Sequence, residues 1–157
     1  SRAEKKVRDR LEELGVECFL PVQTVLRQWT YRKSRVVVPV IAGLVFVRVS
    51  RQEQVKVLQT KGVVAFLRLK GEAGAAVIPD KQMEDFRFLL DFSEEAVEMT
   101  NENIKAGDLV RVVKGSLRGM EGELIRHKGV TKVLVRIDML GCAMVNIPAS
   151  FVEKLNK

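Results

Sequence analysis

The stretch Gly107-Asp108-Leu109-Val110-Arg111-Val112-Val113-Lys114-Gly115-Ser116-Leu117-Arg118-Gly119-Met120-Glu121-Gly122 reads as a β-strand, a glycine-punctuated turn and the start of a second strand. Gly107-Asp108 is a turn signal that delivers the chain into residues 109–113, an apolar run rich in Val. Gly115, Gly119 and Gly122 then arrive close together, where a chain turns sharply or accepts φ > 0, which glycine does without a Cβ penalty. Leu117, the single apolar side chain between Gly115 and Gly119, is placed to plug the end of a small barrel.

Downstream, Val133, Val135 and Ile137 alternate with Leu134, Arg136 and Asp138, an in–out pattern of period two. After Leu140-Gly141, Ala143, Val145 and Ile147 alternate with Cys142, Met144 and Asn146 in the same way. Pro148-Ala149-Ser150 turns the chain into residues 151–155. Five short strands over residues 104–157 predict a small β-barrel, whose closure removes exposed strand edges. The wording G-D-x-V-x-V-x-x-G-x-x-x-G-x-x-G resembles the KOW motif of SH3-like barrels in transcription elongation factors and some ribosomal proteins.

Upstream, residues 1–14 read as a helix. Ala3, Val7, Leu11 and Leu14 form an apolar stripe, and Gly15 is the stop. Arg2, Lys5, Lys6, Arg8 and Arg10 lie on its outer face, either a solvated face or a working basic surface. Residues 16–20, 22–29 and 35–38 read as strands, with a polar turn at 30–34. The apolar run 41–49 has the length and β-branching of a central strand buried on both faces. Ser50 and Glu53 spell a capping box ahead of a short helix striped by Val55 and Leu58. Residues 63–69 read as a further strand. Pro79-Asp80 opens a last helix in which Met83, Phe86, Leu89 and Leu90 face the core. Residues 93–103 carry four Glu and little periodicity, the pattern of a solvated acidic linker. The expected class is therefore α+β: residues 1–92 form helices on a mainly antiparallel sheet, and residues 104–157 form the barrel.

Charge and cysteine content narrow the function classes. Net charge is +7, distributed as 15 Lys/Arg against 7 Asp/Glu in residues 1–79, 2 against 8 in 80–103 and 10 against 5 in 104–157. Basic blocks on folded modules favour a polyanionic partner through steering and counterion release. Cys18 and Cys142 sit far apart in apolar runs with no Cys/His cluster, so buried free thiols in a reducing cytoplasm are expected, and no metal or other cofactor. The longest apolar run is too short to span a membrane, and no secretory leader pattern opens the sequence. Nothing matches an enzyme either. The carboxylates cluster in the linker and on helix faces, Ser116 lacks a G-x-S-x-G context, and the glycines precede a strand where a phosphate loop precedes a helix.

With barrel, linker and α/β domain in this order, the whole sequence resembles the NusG family. Pro39-Val40-Ile41-Ala42-Gly43-Leu44-Val45-Phe46-Val47 is similar to that family's P-x-F-P-G-Y-V-F-V segment. Val63-Val64-Ala65-Phe66-Leu67 resembles its gVv-F-v strand, and Ile78-Pro79-Asp80 its entry to the last helix. The resemblance implies an N-terminal NGN domain that binds RNA polymerase and a C-terminal KOW domain that binds other factors. The wording Ile78-Pro79-Asp80-Lys81-Gln82-Met83 with Phe86-Arg87 looks most like the specialised UpxY-type members, which regulate surface-polysaccharide operons. Two departures stand out. The family opens with a strand ahead of the first helix, whereas Ser1 already stands in that helix, so the first NGN strand is expected to be missing. Ala42 and Leu44 replace the usual Pro and Tyr.

Three residue sets carry the expected interactions. Arg27, Trp29, Tyr31, Arg32, Lys33 and Arg35 form the densest basic–aromatic cluster, suited to phosphates and unpaired bases, and the resemblance sets this hairpin near the transcription bubble, against DNA or nascent RNA. Lys5 and Lys6 join this set from the first helix. Leu20, Val22, Val40, Ile41, Leu44 and Phe46 are candidates for the apolar surface that the resemblance implies against the polymerase clamp. Strand parity allows only one alternating subset of 41–46 to face outward and leaves open which. In the barrel, Leu117, Arg118, Arg126, His127 and Lys128 are the candidates for meeting the ribosome or another factor, with His127 read as a surface residue. The implied activity is that of a monomeric elongation and antitermination regulator. A general NusG-type factor and a KOW-containing RNA- or ribosome-binding protein are the alternatives.

Overall fold

Helix α1 (Arg2–Glu13) comes first in the computed structural model, which describes residues 2–28 and 30–155. It is followed by β1 (Glu17–Phe19), β2 (Val22–Gln28), β3 (Lys33–Pro39), β4 (Phe46–Arg48) and α2 (Glu53–Leu58). These elements belong to the first of two compact units, residues 1–76 and 77–157. The buried stripe of α1 is Glu4, Val7 and Leu11, whereas Ala3 and Leu14 are exposed. Val7 and Leu11 join Val16 and Val57 in a small core, with Cys18, Val45, Val47, Val49, Val63 and Phe66 packed against it. Helix α2 buries Val57, while Val55 and Leu58, its expected stripe, are exposed. Its start follows the capping box: Glu53 N–H donates to Ser50 Oγ at 3.2 Å, and Ser50 N–H donates to Glu53 Oε1 at 3.0 Å. Hydrogen bonding of the Glu53 carboxyl to the Ser50 backbone N–H, then to the Ser50 side chain, holds it below the usual carboxylate range.

The strands of this unit differ from expectation in two places. Instead of one sheet they form two pairs, β1 antiparallel to β4 and β2 antiparallel to β3. Within 41–49 only Phe46–Arg48 is strand. Ahead of it the chain turns, with Gly43 at φ +72°, a left-handed conformation that costs a residue with a Cβ. Residues 63–69 carry no regular structure, and Val64 is 96% exposed. The reason is that no strand pairs with this segment among the described residues, since β propensity yields a strand only where another strand pairs with it. Here the segment folds back on itself through Ala76 N–H donating to Leu67 C=O at 2.7 Å.

The second unit holds α3 (Asp80–Phe92), β5 (Glu98–Thr100), β6 (Asp108–Val112), β7 (Glu121–His127), β8 (Val130–Ile137), β9 (Gly141–Asn146), a 3-10 turn (Ala149–Phe151) and β10 (Val152–Lys154). Its six strands form one antiparallel sheet in the order β10-β6-β7-β8-β9-β5. β7 and β8 join through Lys128 (φ 50°) and Gly129 (φ 80°), two left-handed residues whose twist suits a two-residue hairpin. Sequence alternation predicts one buried face for β8 and β9, yet both faces are buried. Val133, Val135, Ile137, Ala143 and Val145 lie on one side. Leu134, Cys142 and Met144 form a second cluster on the other, covered by Ile104 and Ile125.

Polar clamps hold the entry to this sheet. Arg136 grips Glu123 through Nε (2.6 Å) and Nη2 (3.1 Å), and its Nη2 also donates to Ile104 C=O at 2.8 Å. Glu123 Oε1 accepts from Gly107 N–H at 3.0 Å. A Cβ at Gly107 would lie 2.1 Å from Leu124 O, so the first glycine of the 107–122 stretch is required by backbone approach. Helix α3 buries Phe86 and Leu89 completely, with Met83 and Leu90 half-buried. Gln82 and Asp138 exchange two hydrogen bonds, Nε2 to Oδ1 at 3.0 Å and Asp138 N–H to Oε1 at 2.8 Å. The stretch expected as a solvated linker contains β5 and the buried Val97. The compact units divide ahead of α3, between Ala76 and Val77.

Two outcomes follow from these clamps. Replacing Arg136 by Ala strands the Glu123 carboxylate, which is only 14% exposed, and should destabilise the second unit by about 1–3 kcal/mol in urea unfolding, with Arg136→Lys recovering part of the loss. Lys132 Nζ, 2.9 Å from Glu98 Oε2, holds the Glu98 carboxyl below the usual range, so the ionised form is favoured in the fold. This stabilisation is complete at neutral pH and is lost as acid titrates the folded carboxyl. Amide-exchange protection of β5 should therefore fall through the lower carboxylate range, and Lys132→Met should abolish that pH dependence.

Candidate functional site

The β2–β3 hairpin is amphipathic across its two faces, and its register divides the basic cluster. Leu26 pairs with Arg35, Thr24 with Val37 and Gln28 with Lys33, so these six share one face, and all six are exposed. Arg27 pairs with Ser34 on the opposite face, beside the half-buried Val25, Val36 and Val38. Tyr31 (97% exposed) and Arg32 lie between the strands. Trp29 lies outside the described residues. From Cys18 to Gln52 the sequence holds six Arg or Lys and no Asp or Glu, so no carboxylate of this stretch offsets the cations. Lys5 and Lys6 stand on a different element, α1, with Lys5 half-buried and Lys6 exposed.

The parity left open by the sequence is decided at β4. Val45, Val47 and Val49 pack on the core of α1 and α2, which sends Leu44 and Phe46 to the other side. There Phe46 pairs with Phe19 of β1, their ring centroids 6.1 Å apart and 23° from parallel. Phe19 was missing from the sequence-derived set. Its signal was the same alternation, since Cys18 packs on the core and Phe19 follows it. Val22, Val40 and Ile41 are half-buried, while Leu20 is 5% exposed and has no surface to offer a partner. What turns the chain ahead of β4 is a buried carboxylate: Glu4 Oε2 accepts from Gly43 N–H at 2.8 Å.

In the second unit, Arg118, Arg126 and Lys128 are exposed as expected, but two neighbours are not. Leu117 is 6% exposed and fills the loop interior, where Gly119 N–H bonds Val112 C=O and Met120 N–H bonds Leu117 C=O. The surface reading of His127 also fails: its side chain is 14% exposed and its Nε2 lies 3.1 Å from Glu102 Oε2. Glu102 is distant in sequence, and only the return of residues 98–102 along β9 brings it there. Neither thiol has the character of a nucleophile. Burial, then Glu12, pushes the Cys18 thiol up, and burial does the same to Cys142, so both disfavour the reactive thiolate. Among the described residues no group of three or more His, Cys, Asp or Glu is arranged to hold a metal ion, and no helix is long and apolar enough to cross a membrane.

Helices with antiparallel sheets make this an α+β protein. Residues 1–87 match the family described as transcription termination factor nusG. That is more than half of the 157 residues, and the chain belongs to the NusG family, non-enzymatic transcription elongation and termination factors that interact with RNA polymerase. No curated protein sequence matches the chain. The matched residues run past the first compact unit and into α3.

Replacing Glu4 by Ala should destabilise the first unit by about 1–3 kcal/mol, because Gly43 N–H loses its carboxylate partner and the helix core loses volume. Thermal unfolding followed by circular dichroism reads this directly. Gly43→Ala should cost about 1 kcal/mol from its positive φ, since nothing lies within 4 Å of the added Cβ.

Proposed function

We propose that this chain is a transcription elongation and antitermination regulator that acts as a monomer on the clamp region of RNA polymerase. In this reading residues 1–92 are the NGN-type domain that binds polymerase, and residues 104–157 are an SH3-like KOW barrel. The barrel meets the ribosome or a second factor through Arg118, Arg126 and Lys128. The observation that carries the reading is the apolar Phe19–Phe46 pair on the side of β1 and β4 away from the core, in a chain of the NusG family. Paired aromatics outside a core are suited to an anchor in a partner's groove. The acid-free hairpin supplies the second contact, cations set against nucleic acid at the transcription bubble. Two attachments, one to protein and one to nucleic acid, hold the polymerase clamp in place, which suppresses pausing and favours read-through of terminators. The wording around Ile78–Met83 supports the specialised UpxY type, acting on a surface-polysaccharide operon.

Purified polymerase transcribing a template with a defined pause should show shorter pausing and more terminator read-through when the protein is added. An unchanged elongation profile together with no co-purification of polymerase would overturn the proposal. Replacing Phe19 and Phe46 together by Ser should lower polymerase affinity at least tenfold, the scale of a lost hot spot, while Arg118→Ala leaves it unchanged.

A further inference from the structure

Residues 97–104, which have the composition of a linker, lie strapped across the sheet of the second unit. β5 forms one end of that sheet, pairing with β9 as Glu98↔Met144, Met99↔Ala143 and Thr100↔Cys142. The chain then runs back over the face that holds Leu134, Cys142 and Met144, and Ile104 packs on that cluster. Polar groups of the sheet fasten the strap. Lys132 Nζ lies 2.9 Å from Glu98 Oε2, His127 Nε2 lies 3.1 Å from Glu102 Oε2, and Arg136 Nη2 donates to Ile104 C=O at 2.8 Å. The Glu98 and Glu102 side chains are 48% and 58% exposed, whereas Lys132 and His127 beneath them are only 12% and 14% exposed. The basic halves of these clamps are thus built into the sheet, and the acidic halves arrive with the strap. Net charge follows the same division, with 2 Lys/Arg against 8 Asp/Glu in residues 80–103 and 10 against 5 in 104–157.

Apolar packing holds the strap only lightly. β5 is three residues long, where β8 has eight, and Asn101, Glu102 and Asn103 are exposed. Val97 is buried, but Met99 and Ile104 are only half-buried. A short edge strand of this kind opens at low free-energy cost, and tethering to its own site is what keeps it in place. Once it leaves, β9 becomes an edge whose free N–H and C=O groups take up an extended chain. Gly141 is already shaped for close approach there, since a Cβ at that position would collide with Thr100 O. We infer that residues 97–103 occupy a strand-docking site on β9 in place of a partner protein, whose segment is extended and acidic, with two carboxylates four residues apart for Lys132 and His127. A nucleic acid would satisfy the two basic groups but has no peptide ladder for the β9 edge. The inference goes beyond the proposed function, because it assigns a surface that binding to the polymerase clamp does not use.

The test uses the full chain and a fluorescein-labelled peptide copy of residues 95–104, with anisotropy as the readout. The parent should bind this peptide weakly, because its own strap competes. Glu98→Lys combined with Glu102→Lys sets cations against Lys132 and His127, frees the edge and should tighten binding at least tenfold. A peptide with Gln in place of Glu98 and Glu102 should bind that variant about tenfold more weakly. In the opposite direction, Thr100→Cys places a thiol directly across from Cys142, at the Cα spacing of about 4.5–5.5 Å in an antiparallel pair, which a disulfide spans. With Cys18→Ala removing the other thiol, oxidation should abolish the parent's weak binding and dithiothreitol should restore it. This redox pair leaves every charge in place and compares one folded chain with itself. Equal affinity in the parent and the double Lys variant overturns the inference, as does equal binding of the acidic and neutral peptides, or binding that survives the oxidised lock. Loss of β-structure in the double Lys variant, read by circular dichroism, overturns it too, since the strap would then be a structural strand. Polymerase co-purification, measured alongside, keeps the claims distinct: a chain that holds polymerase without the gain in peptide binding fails only here, and the converse fails only the proposed function.

Discussion

One buried carboxylate organises the N-terminal unit. Glu4, 4% exposed on α1, accepts the Gly43 N–H at 2.8 Å and so fixes where the turn before β4 ends. The position of that turn decides the parity of everything after it. Val45, Val47 and Val49 fall onto α1 and α2, and Leu44 and Phe46 fall on the other side. A slip of one residue would exchange the two sets, burying Phe46 and exposing the valines, because strand side chains alternate with period two. Among the described residues this cluster has four buried members with six half-buried side chains on it, a small area with which to impose register by itself. A hydrogen bond to a buried carboxyl group is directional and short in range, so it does what diffuse packing over so small a core does weakly.

The second unit solves a comparable problem with more material. Its sheet is buried on both faces along β8 and β9, and the entering segment 104–107 is fastened by the Arg136–Glu123 clamp, which binds Ile104 C=O and Gly107 N–H at once. Four backbone and side-chain groups converge where Gly107 passes too close to Leu124 O for any side chain. Helix α3 is part of this unit through its buried Phe86 and Leu89 and the Gln82–Asp138 pair. The residues that match the NusG family end within that helix. The family match and the first compact unit thus end at different places.

These constraints give the proposed interaction surfaces their form. The β2–β3 hairpin pairs with no other strand among the described residues, so both its faces are defined by its own register. Its tip and outward face carry cations with no acid from Cys18 to Gln52, while Phe19 and Phe46 form an apolar pair on neighbouring strands of the same unit. The hairpin face is exposed and the Phe19–Phe46 pair half-buried, and both stand on paired strands, whose rigid backbone limits the entropy that a bound partner would remove.

Much of this was legible in the sequence. The glycine spacing of 107–122, the valine-rich alternation after it, the capping box at Ser50 and Glu53 and the last helix at Pro79-Asp80 are local signals, and local signals act through backbone geometry that depends little on distant residues. The basic–aromatic hairpin was visible for the same reason. What required the tertiary structure was every choice between two faces or two partners. Period two states that a strand has two sides but not which is inward, so Phe19 joined Phe46, and Arg27 parted from Arg35, only once pairing was known. Residues 63–69 have the composition of a strand and, among the described residues, no pairing strand to make them one. His127 looks exposed among its cationic neighbours in sequence, and is covered because a distant segment brings Glu102 to it. Sequence determined which segments have β or helical character and where the charge lies, since those follow from each residue and its near neighbours. The fold alone decided which side of each segment is buried, because burial is a property of contacts between residues far apart in the chain.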